Sequence, residues 1–284
     1  MEKRPLGNTG YLVSPVVFGG IINMNESQKD ADRFVSEAVD RGVNYFDVAP
    51  AYGDAETRLG PALAPYRDRV YLACKTEKRD AKTSREALFH SLDVLRTKYF
   101  DVYQLHSMTT QEDLDQAFGK DGVMETVLWA KSEGLIRKIG MSVHSEDIAM
   151  KALSLFPFDT VLFPMNWALG INTDWGDRIS AYAKEHGTGL LAMKTLIYRQ
   201  WNEGEERPYP KSWCRPIYGN DRLAVAAMKY GIYKGAATLI PPGNYEHFCF
   251  MLDHIDECIN EPLTDAEWAL LRTEAEAVRD KMIF

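Results

Sequence analysis

Residues 44–60, NYFDVAPAYGDAETRLG, contain a strand, a turn and the start of a helix within one short stretch. The predicted strand covers residues 44–48 and carries Asp47 near its end, five residues before Tyr52. Tyr52 lies in a turn beside a glycine, and a short helix is predicted at residues 55–63. A strand that passes directly into a helix is the repeating unit of folds built on parallel sheets.

The same order continues on both sides of that stretch. Strands are predicted at residues 16–18, 44–48, 70–75, 101–106, 136–143, 160–166, 189–194 and 236–241. Helices follow at residues 27–41, 55–63, 122–133, 145–155, 175–186, 221–230 and 244–259, and another opens at the capping-box pattern of Thr83 and Glu86. Eight such units in about 250 residues predict a (β/α)8 TIM barrel, with a doubly wound sheet as the alternative.

Smaller features complete this predicted fold. Residues 3–6 and 12–13, on either side of GNTG, indicate a β-hairpin before the first barrel strand. Ser27 and Ser145 are placed to cap helices, and Thr264 with Glu267 forms a capping box for a last helix. A long loop follows strand seven at residues 195–220. Without a break in composition, residues 1–284 are expected to form a single domain.

Composition excludes several classes of protein. The 284 residues are 45% hydrophobic and 26% charged, with a formal net charge of −8 and no basic stripe, so no nucleic-acid partner is expected. No signal peptide and no apolar run of membrane-spanning length is present, so no membrane association is expected. The cysteines at 74, 214, 249 and 258 are scattered, which favours reduced thiols and a cytoplasmic location.

Polar side chains stand where three consecutive predicted strands end. These are Asp47, Lys75 and His106, and Tyr52 follows the first of them. Alone, each has an ordinary explanation as a helix cap, a rim lysine, a core histidine or a loop anchor. Together they meet at the C-terminal rim of a barrel, where the chemistry of this fold takes place.

These four groups suit the protonation of an oxygen on which negative charge develops. Tyr52 would be a general acid, and an adjacent Lys75 is expected to lower its pKa. Asp47 would keep Lys75 charged, and His106 would orient a carbonyl oxygen. A carbonyl that receives hydride develops such a charge, and since these side chains hold no hydride, a cofactor must supply it.

The chain resembles the aldo-keto reductases. The matching segments are FDVAPAYG with Glu56 and the following LG, then ACKT, YQLH, GLIRKIGMSVHS, FPMNW, AMK and TLIPPGN, in this order between about residues 6 and 248. The resemblance implies Tyr52 as proton donor, completed by Asp47, Lys75 and His106, and a nicotinamide coenzyme bound without a Rossmann domain. In agreement, no G-x-G-x-x-G sequence follows a strand.

By the same resemblance, the coenzyme would be NADP(H) or NAD(H), with a slight preference for NADP(H) because members of the family commonly use it. No Arg or Lys follows the IPPGN turn, where Glu246 and His247 stand instead, so both coenzymes stay open. Asn166 and His144 are candidates to replace missing amide contacts, and Lys194 and Arg215 could supply positive charge. The candidate coenzyme-binding residues are Gly20, Ile21, Asp47, Ser142, Asn166, Lys194, Pro241, Gly243 and Asn244.

The aromatic loop 195–220 indicates a lid over a small aldehyde, ketone or sugar. Met108, Trp167, Trp201 and Trp213 are the candidate substrate contacts. Two other functions stay open: a coenzyme-binding regulatory protein with little turnover, and a metal-dependent isomerase or hydrolase that uses Asp47 and His106. No metal site is predicted, because strands five to eight offer no further carboxylates or histidines at their ends. The sequence does not specify an oligomeric state.

Overall fold

A computed structural model describes residues 1–284, which form twelve strands and eleven α-helices. The strands are β1 Arg4–Pro5, β2 Leu12–Val13, β3 Phe18–Gly19, β4 Tyr45–Asp47, β5 Tyr71–Thr76, β6 Phe100–Met108, β7 Ile136–Val143, β8 Thr160–Pro164, β9 Gly189–Met193, β10 Ile197–Arg199, β11 Arg215–Pro216 and β12 Thr238–Leu239. The helices are α1 Gln28–Asp40, α2 Ala55–Leu63, α3 Ala81–Val94, α4 Gln111–Phe118, α5 Val123–Ser132, α6 Glu146–Leu155, α7 Trp167–Thr173, α8 Asp177–His186, α9 Asp221–Tyr233, α10 Tyr245–Asn260 and α11 Asp265–Ala277.

Eight parallel strands form a closed barrel. Their order is β3-β4-β5-β6-β7-β8-β9-β12, so each strand pairs with the next barrel strand in the chain. The ring closes between its first and last members, where Val17 N donates to Leu239 O at 3.0 Å and Leu239 N donates to Pro15 O at 2.9 Å. A doubly wound sheet would reverse its strand order and stay open. The (β/α)8 prediction is therefore confirmed.

Alternation along the strands divides the apolar residues into two groups. A set of 66 buried residues fills the space between the barrel and its helices. A smaller set, including Val17, Tyr45, Ala73, Val102 and Leu191, lies on the opposite face of the same strands and fills the barrel interior.

The predicted hairpin is confirmed and closes the N-terminal end of the barrel. Strands β1 and β2 pair antiparallel, and Leu6 and Val13 pack against the interior residues. Gly7 has a φ of +50°, and a Cβ there would lie 2.3 Å from the carbonyl oxygen of Gly187. The chain can therefore approach the start of β9 this closely only with glycine at this position.

Several element boundaries differ from the sequence prediction. Asp80, not Thr83, caps α3, since its side chain accepts from Thr83 N at 2.8 Å. Helix α4, capped by Thr110 in a capping box, was not predicted. The predicted helix 175–186 begins only at Asp177, because Gly176 has a left-handed conformation, and the unpredicted α7 precedes it. Loop 195–220 contains the short antiparallel pair β10 and β11.

Other predicted caps agree with the structure. Ser27 caps α1, Ser145 caps α6, and Thr264 with Glu267 forms the capping box of α11. None of the helices combines the length and the apolar character that crossing a lipid bilayer requires.

Candidate functional site

The candidate site lies where β4, β5 and β6 end side by side. In the parallel register, Asp47 is opposite Ala73, and Lys75 is opposite Gln104. Side chains two residues apart on a strand point to the same face, so Asp47, Lys75 and Gln104 all face the barrel interior near its C-terminal rim. The chain after β4 turns back, with Tyr52 N donating to Ala49 O at 3.0 Å, and this turn brings Tyr52 over the rim.

Lys75 is the centre of this group, and its side chain is fully buried. Its ammonium contacts Asp47 Oδ1 and lies 3.4 Å from Val48 O and 3.5 Å from Tyr52 Oη. Burial alone would lower the pKa of Lys75, but the charge of Asp47, the interaction with Tyr52 and the hydrogen bond to Asp47 together raise it above its ordinary value. Lys75 is therefore a cation at neutral pH.

Tyr52 has a raised pKa, in contrast to the sequence expectation. Burial raises the pKa of Tyr52, and the nearby Lys75 ammonium lowers it by less. The expected direction of the Lys75 effect is correct, but the expected net shift is wrong, because desolvation of the phenol is the larger effect. Tyr52 therefore keeps its proton at neutral pH and remains a potential proton donor.

His106 is neutral and lies edge-on to Tyr52. The ring centroids are 5.9 Å apart with an interplanar angle of 87°. Burial lowers the pKa of His106 to about 3, and the positive charges of Lys75, His144 and Arg79 act in the same direction. Its Nδ1 is buried without a hydrogen-bond partner, 3.5 Å from Glu77 Oε1. At neutral pH the imidazole therefore has one N–H, available as a hydrogen-bond donor.

A cavity of about 330 Å³ opens directly above these groups. It brings together many residues that the sequence singled out, namely Asp47, Tyr52, His106, Ile21, Ser142, His144, Lys194, Pro241, Gly243 and Trp213. It also has lining residues that the sequence did not single out, including Glu77, Ser107, Met193, Lys211, Ser212 and Cys214. Glu77, Ser107 and Met193 lie at strand ends or just beyond them, so the rule that selected Asp47 and His106 could also have found them.

Three candidate coenzyme residues lie outside the lining of this cavity. Gly20 packs against the end of β4, where a Cβ at position 20 would lie 2.7 Å from Val48. Asn166 is fully engaged in structure: its Oδ1 accepts from Ala168 N and Leu169 N to cap α7, and its Nδ2 donates to two carbonyls of the β9–β10 segment. Asn244 is at the N-cap position of α10 but makes no capping bond, and its Nδ2 is buried without a partner.

Three of the four candidate substrate contacts also lie outside the cavity. Met108 and Trp167 are fully buried in the core between the barrel and its helices. Trp201 donates its Nε1 to Ser212 O at 3.0 Å and so braces loop 195–220 internally. Trp213 is different, because its ring centroid lies 5.9 Å from that of Tyr52 while 68% of the residue remains exposed.

Loop 195–220 crosses the mouth of the barrel and is tied to the opposite side. The Lys211 ammonium donates to Ile22 O at 2.7 Å and pairs with Glu26. Arg215, a candidate cation for the coenzyme, is paired with Glu205 at 3.0 Å. Glu205 also pairs with Arg199 at 2.9 Å, so one carboxylate is shared by two guanidinium groups, and Arg215 does not line the cavity.

Lys194 is the cavity-lining cation that pairs with no carboxylate. Its Nζ lies 4.3 Å from the ring centroid of Phe284, and burial lowers its pKa. Lys194 also has a φ of +63°, a conformation rarely adopted by residues other than glycine, so the backbone is strained where β9 meets the cavity. No group of three or more His, Cys, Asp or Glu side chains is placed to hold a metal ion.

Comparison with known proteins agrees with this geometry. The model of the aldo/keto reductase family matches residues 15–229. An uncharacterized oxidoreductase of Bacillus subtilis is 31% identical over 156 residues, which is 50% of this chain and 49% of that protein. L-galactose dehydrogenase of Arabidopsis thaliana is 30% identical over 212 residues, which is 69% of this chain and 66% of that protein. The chain thus spans about half to two thirds of the length of these curated relatives.

A solved structure supports the fold. The holo form of an aldo-keto reductase from Bacillus halodurans superposes with a TM-score of 0.72 at 22% identity, over 98% of this chain and 96% of that chain. The family match covers the strands that carry Asp47, Lys75 and His106, together with the turn that carries Tyr52. This chain belongs to the aldo/keto reductase family.

Proposed function

We propose that the protein is an NAD(P)H-dependent reductase of aldehydes, ketones or sugars in which Tyr52 protonates the carbonyl oxygen. The observation that carries this proposal is the contact between Tyr52 and Lys75. Tyr52 Oη lies 3.5 Å from a buried ammonium, beside a neutral His106, at the floor of a cavity of about 330 Å³. A neutral phenol, a fixed cation and a neutral imidazole are what a developing alkoxide requires.

The electrostatics support proton donation by Tyr52. Its raised pKa keeps the proton in place until charge builds on a nearby oxygen. After transfer, the tyrosinate is stabilised by the Lys75 ammonium, which has little water to compete with it because its side chain is fully buried. Asp47 keeps Lys75 charged, so the cation is present before the reaction begins.

His106 would orient the substrate. A neutral imidazole can donate one hydrogen bond to a carbonyl oxygen, and the ring lies beside Tyr52 in the cavity lining. With its pKa lowered to about 3, His106 does not compete with Tyr52 as the acid at neutral pH. Tyr52 and His106 then act on the same oxygen in different ways, one giving a proton and the other a hydrogen bond.

The residues around the cavity fit a nicotinamide coenzyme, which when bound supplies the hydride. Ser142, Pro241 and Gly243 line the cavity, and the orphaned buried Nδ2 of Asn244 lies at the start of α10 next to them. A helix N-terminus with an unused amide donor is suited to an anionic group such as a phosphate. Lys194 provides the uncompensated positive charge on the cavity side.

Between the two coenzymes, NADP(H) is favoured because members of the family commonly use it, and NAD(H) is the alternative. The segment after the Gly243 turn has no Arg or Lys, and Arg215 does not line the cavity. This leaves Lys194 as the available cation for an additional phosphate. A fluorescence titration of the protein with NADPH and with NADH decides between them.

A sugar is one member of the proposed substrate class. The relative from Arabidopsis is named L-galactose dehydrogenase. In this chain the exposed ring of Trp213 lies beside Tyr52 at the cavity mouth. An aromatic face next to polar side chains suits the alternating apolar and hydroxyl faces of a sugar.

The test is the substitution Tyr52→Phe, assayed with NADPH and NADH against a panel of small aldehydes, ketones and sugars. We expect kcat to fall by a factor on the order of a thousand while coenzyme affinity stays within about twofold. Tyr66→Phe is the matched control, since Tyr66 donates to Ser36 Oγ away from the cavity. Unchanged turnover in Tyr52→Phe would remove Tyr52 as the acid. Coenzyme binding by the wild type without turnover of any carbonyl would instead favour a regulatory protein.

A further inference from the structure

Gln104 is a fully buried polar residue next to the proposed catalytic group. It lies on β6 directly opposite Lys75 and two residues before His106, so it faces the barrel interior. It does not line the cavity. Neither substrate nor coenzyme therefore touches it, and any effect it has on the reaction must pass through its neighbours.

The side chain of Gln104 holds the second oxygen of Asp47. Gln104 Nε2 donates to Asp47 Oδ2 at 2.7 Å, while Lys75 contacts Oδ1. The carboxylate is thus held on both oxygens, by a neutral donor on one side and a cation on the other. With Lys75 as its only partner, the carboxylate would be free to rotate about its terminal bond, and the ammonium would follow it.

The orientation of the Gln104 side-chain amide is determined by the Asp47 carboxylate. A carboxylate accepts hydrogen bonds and does not donate them, so the NH₂ group of Gln104 must face Asp47. Its Oε1 then faces the barrel interior, where it is buried without a partner. An orphaned carbonyl is unfavourable for folding, and the barrel interior beside it contains apolar residues such as Val102, so an apolar side chain would suit this position. Packing alone does not explain a glutamine at this position.

The barrel also leaves space for this side chain. Gly140 is opposite Gln104 on β7, and a Cβ there would lie 3.0 Å from Gln104 Cγ and 2.3 Å from Thr160 Oγ1. Any larger residue at position 140 would crowd Gln104 and clash with Thr160.

We infer that Gln104 is a positioning residue, which fixes the Asp47 carboxylate so that the Lys75 ammonium stays beside Tyr52. This inference rests on the proposed function, because it assigns Gln104 a role in the same proton transfer. Loss of the amide lets Asp47 and Lys75 move together, which weakens the support that Lys75 gives to a tyrosinate. Gln104 itself touches neither coenzyme nor substrate, so we expect a larger effect on kcat than on their affinities.

The first test is Gln104→Leu, which removes the donor and keeps the approximate volume. We expect kcat to fall roughly ten- to hundredfold, the range for losing a hydrogen bond to a charged group, with KM and coenzyme affinity within about twofold. The fall of reductase activity at alkaline pH should move to higher pH, because a tyrosinate with weaker support forms at higher pH. Thr160→Val is the matched control: it removes a buried, unpartnered hydroxyl of the same interior without touching Asp47.

The second test is Gln104→Glu, which also decides the matter if the leucine variant does not fold. A protonated carboxyl donates to Asp47 as the amide does, whereas an ionised one repels it. We expect activity close to the wild type at acidic pH and a steep loss as pH rises, over a range in which the wild type is constant. A purely structural role predicts lower thermal stability in both variants with no change in the shape of the pH profile.

The outcomes separate the two proposals. The role of Gln104 is overturned if Gln104→Leu has the wild-type kcat and an unshifted pH profile. If only Gln104→Glu folds, the same result in that variant overturns it. The proposed function still stands in either case, as long as Tyr52→Phe is inactive. Full activity in Tyr52→Phe removes both proposals together. A fall in kcat for Gln104→Leu that matches the fall for Thr160→Val also overturns the inference, because it indicates general loosening of the barrel interior.

Discussion

Acid should destabilise the fold through His106, and the size of the effect follows from its burial. The pKa of His106 is lowered from its ordinary value of 6.5 to about 3 in the folded chain. As pH falls, the unfolded chain therefore takes up a proton at His106 before the folded chain does. The stability that this group contributes is complete above about pH 6.5 and is lost progressively from there towards about pH 3.

The expected magnitude is about 2 kcal/mol at roughly pH 5, because each pH unit below 6.5 costs about 1.36 kcal/mol until the folded pKa is reached. The measurement is urea denaturation at roughly pH 7.5 and pH 5, for the wild type and for His106→Gln, whose side chain does not titrate. Between these two conditions the wild type should lose about 2 kcal/mol more of its free energy of unfolding than the variant does. An equal loss in both proteins would show that folded His106 protonates as readily as the unfolded residue, and that burial does not keep its imidazole neutral below about pH 6.5.

Three further predictions concern residues around the cavity. Asn166→Ala should lower the free energy of unfolding by about 2–4 kcal/mol in urea denaturation, because the side chain caps α7 and ties it to the β9–β10 segment. Lys211→Met should speed coenzyme dissociation several-fold in stopped-flow fluorescence, because the Lys211 ammonium ties loop 195–220 to Ile22 and Glu26 across the mouth. An unchanged rate would show that the loop does not retain the coenzyme. Gly243→Ala should raise the KM for coenzyme, because the new Cβ would lie 2.7 Å from the carbonyl oxygen of Lys211; a KM equal to the wild type would refute the steric argument.

The position of the candidate catalytic residues could be predicted because the strands of a parallel barrel end at one rim. A polar residue that ends an apolar run must then face the rim, as Asp47 and His106 do. The same rule, applied one step further, finds Gln104, since residues two apart on a strand share a face and Gln104 precedes His106 by two. The polar residue in DVYQLH was visible in the sequence, but its contact with Asp47 depends on the register between strands, which the sequence does not state.

The net pKa of Tyr52 was not predictable in the same way. Its neighbours Asp47 and Lys75 are close in sequence and their effects could be anticipated, but desolvation depends on how much of the chain covers the phenol. Trp213, more than 150 positions away, packs near Tyr52 through the folded loop 195–220. Asn166 shows a second limit of prediction from sequence. The sequence predicts that Asn166 lies at the end of the strand, but its role as the cap of α7 is evident only from the structure, because α7 is not predicted.

The strand side and the loop side of the cavity are built in different ways. The proposed proton transfer takes place on the strand side, whereas the loop side would contribute to binding of coenzyme and substrate. Asp47, Lys75 and His106 lie on adjacent strands whose backbone hydrogen bonds fix their spacing, so their geometry does not depend on a ligand. The opposite side is formed by loop 195–220, which is held by ion pairs such as that of Lys211 with Glu26. Ion pairs near the surface are worth little individually, so the geometry of the loop side depends more on single side chains than the geometry of the strand side does. Substitutions in the loop should therefore act mainly on KM, and substitutions behind the strand ends mainly on kcat.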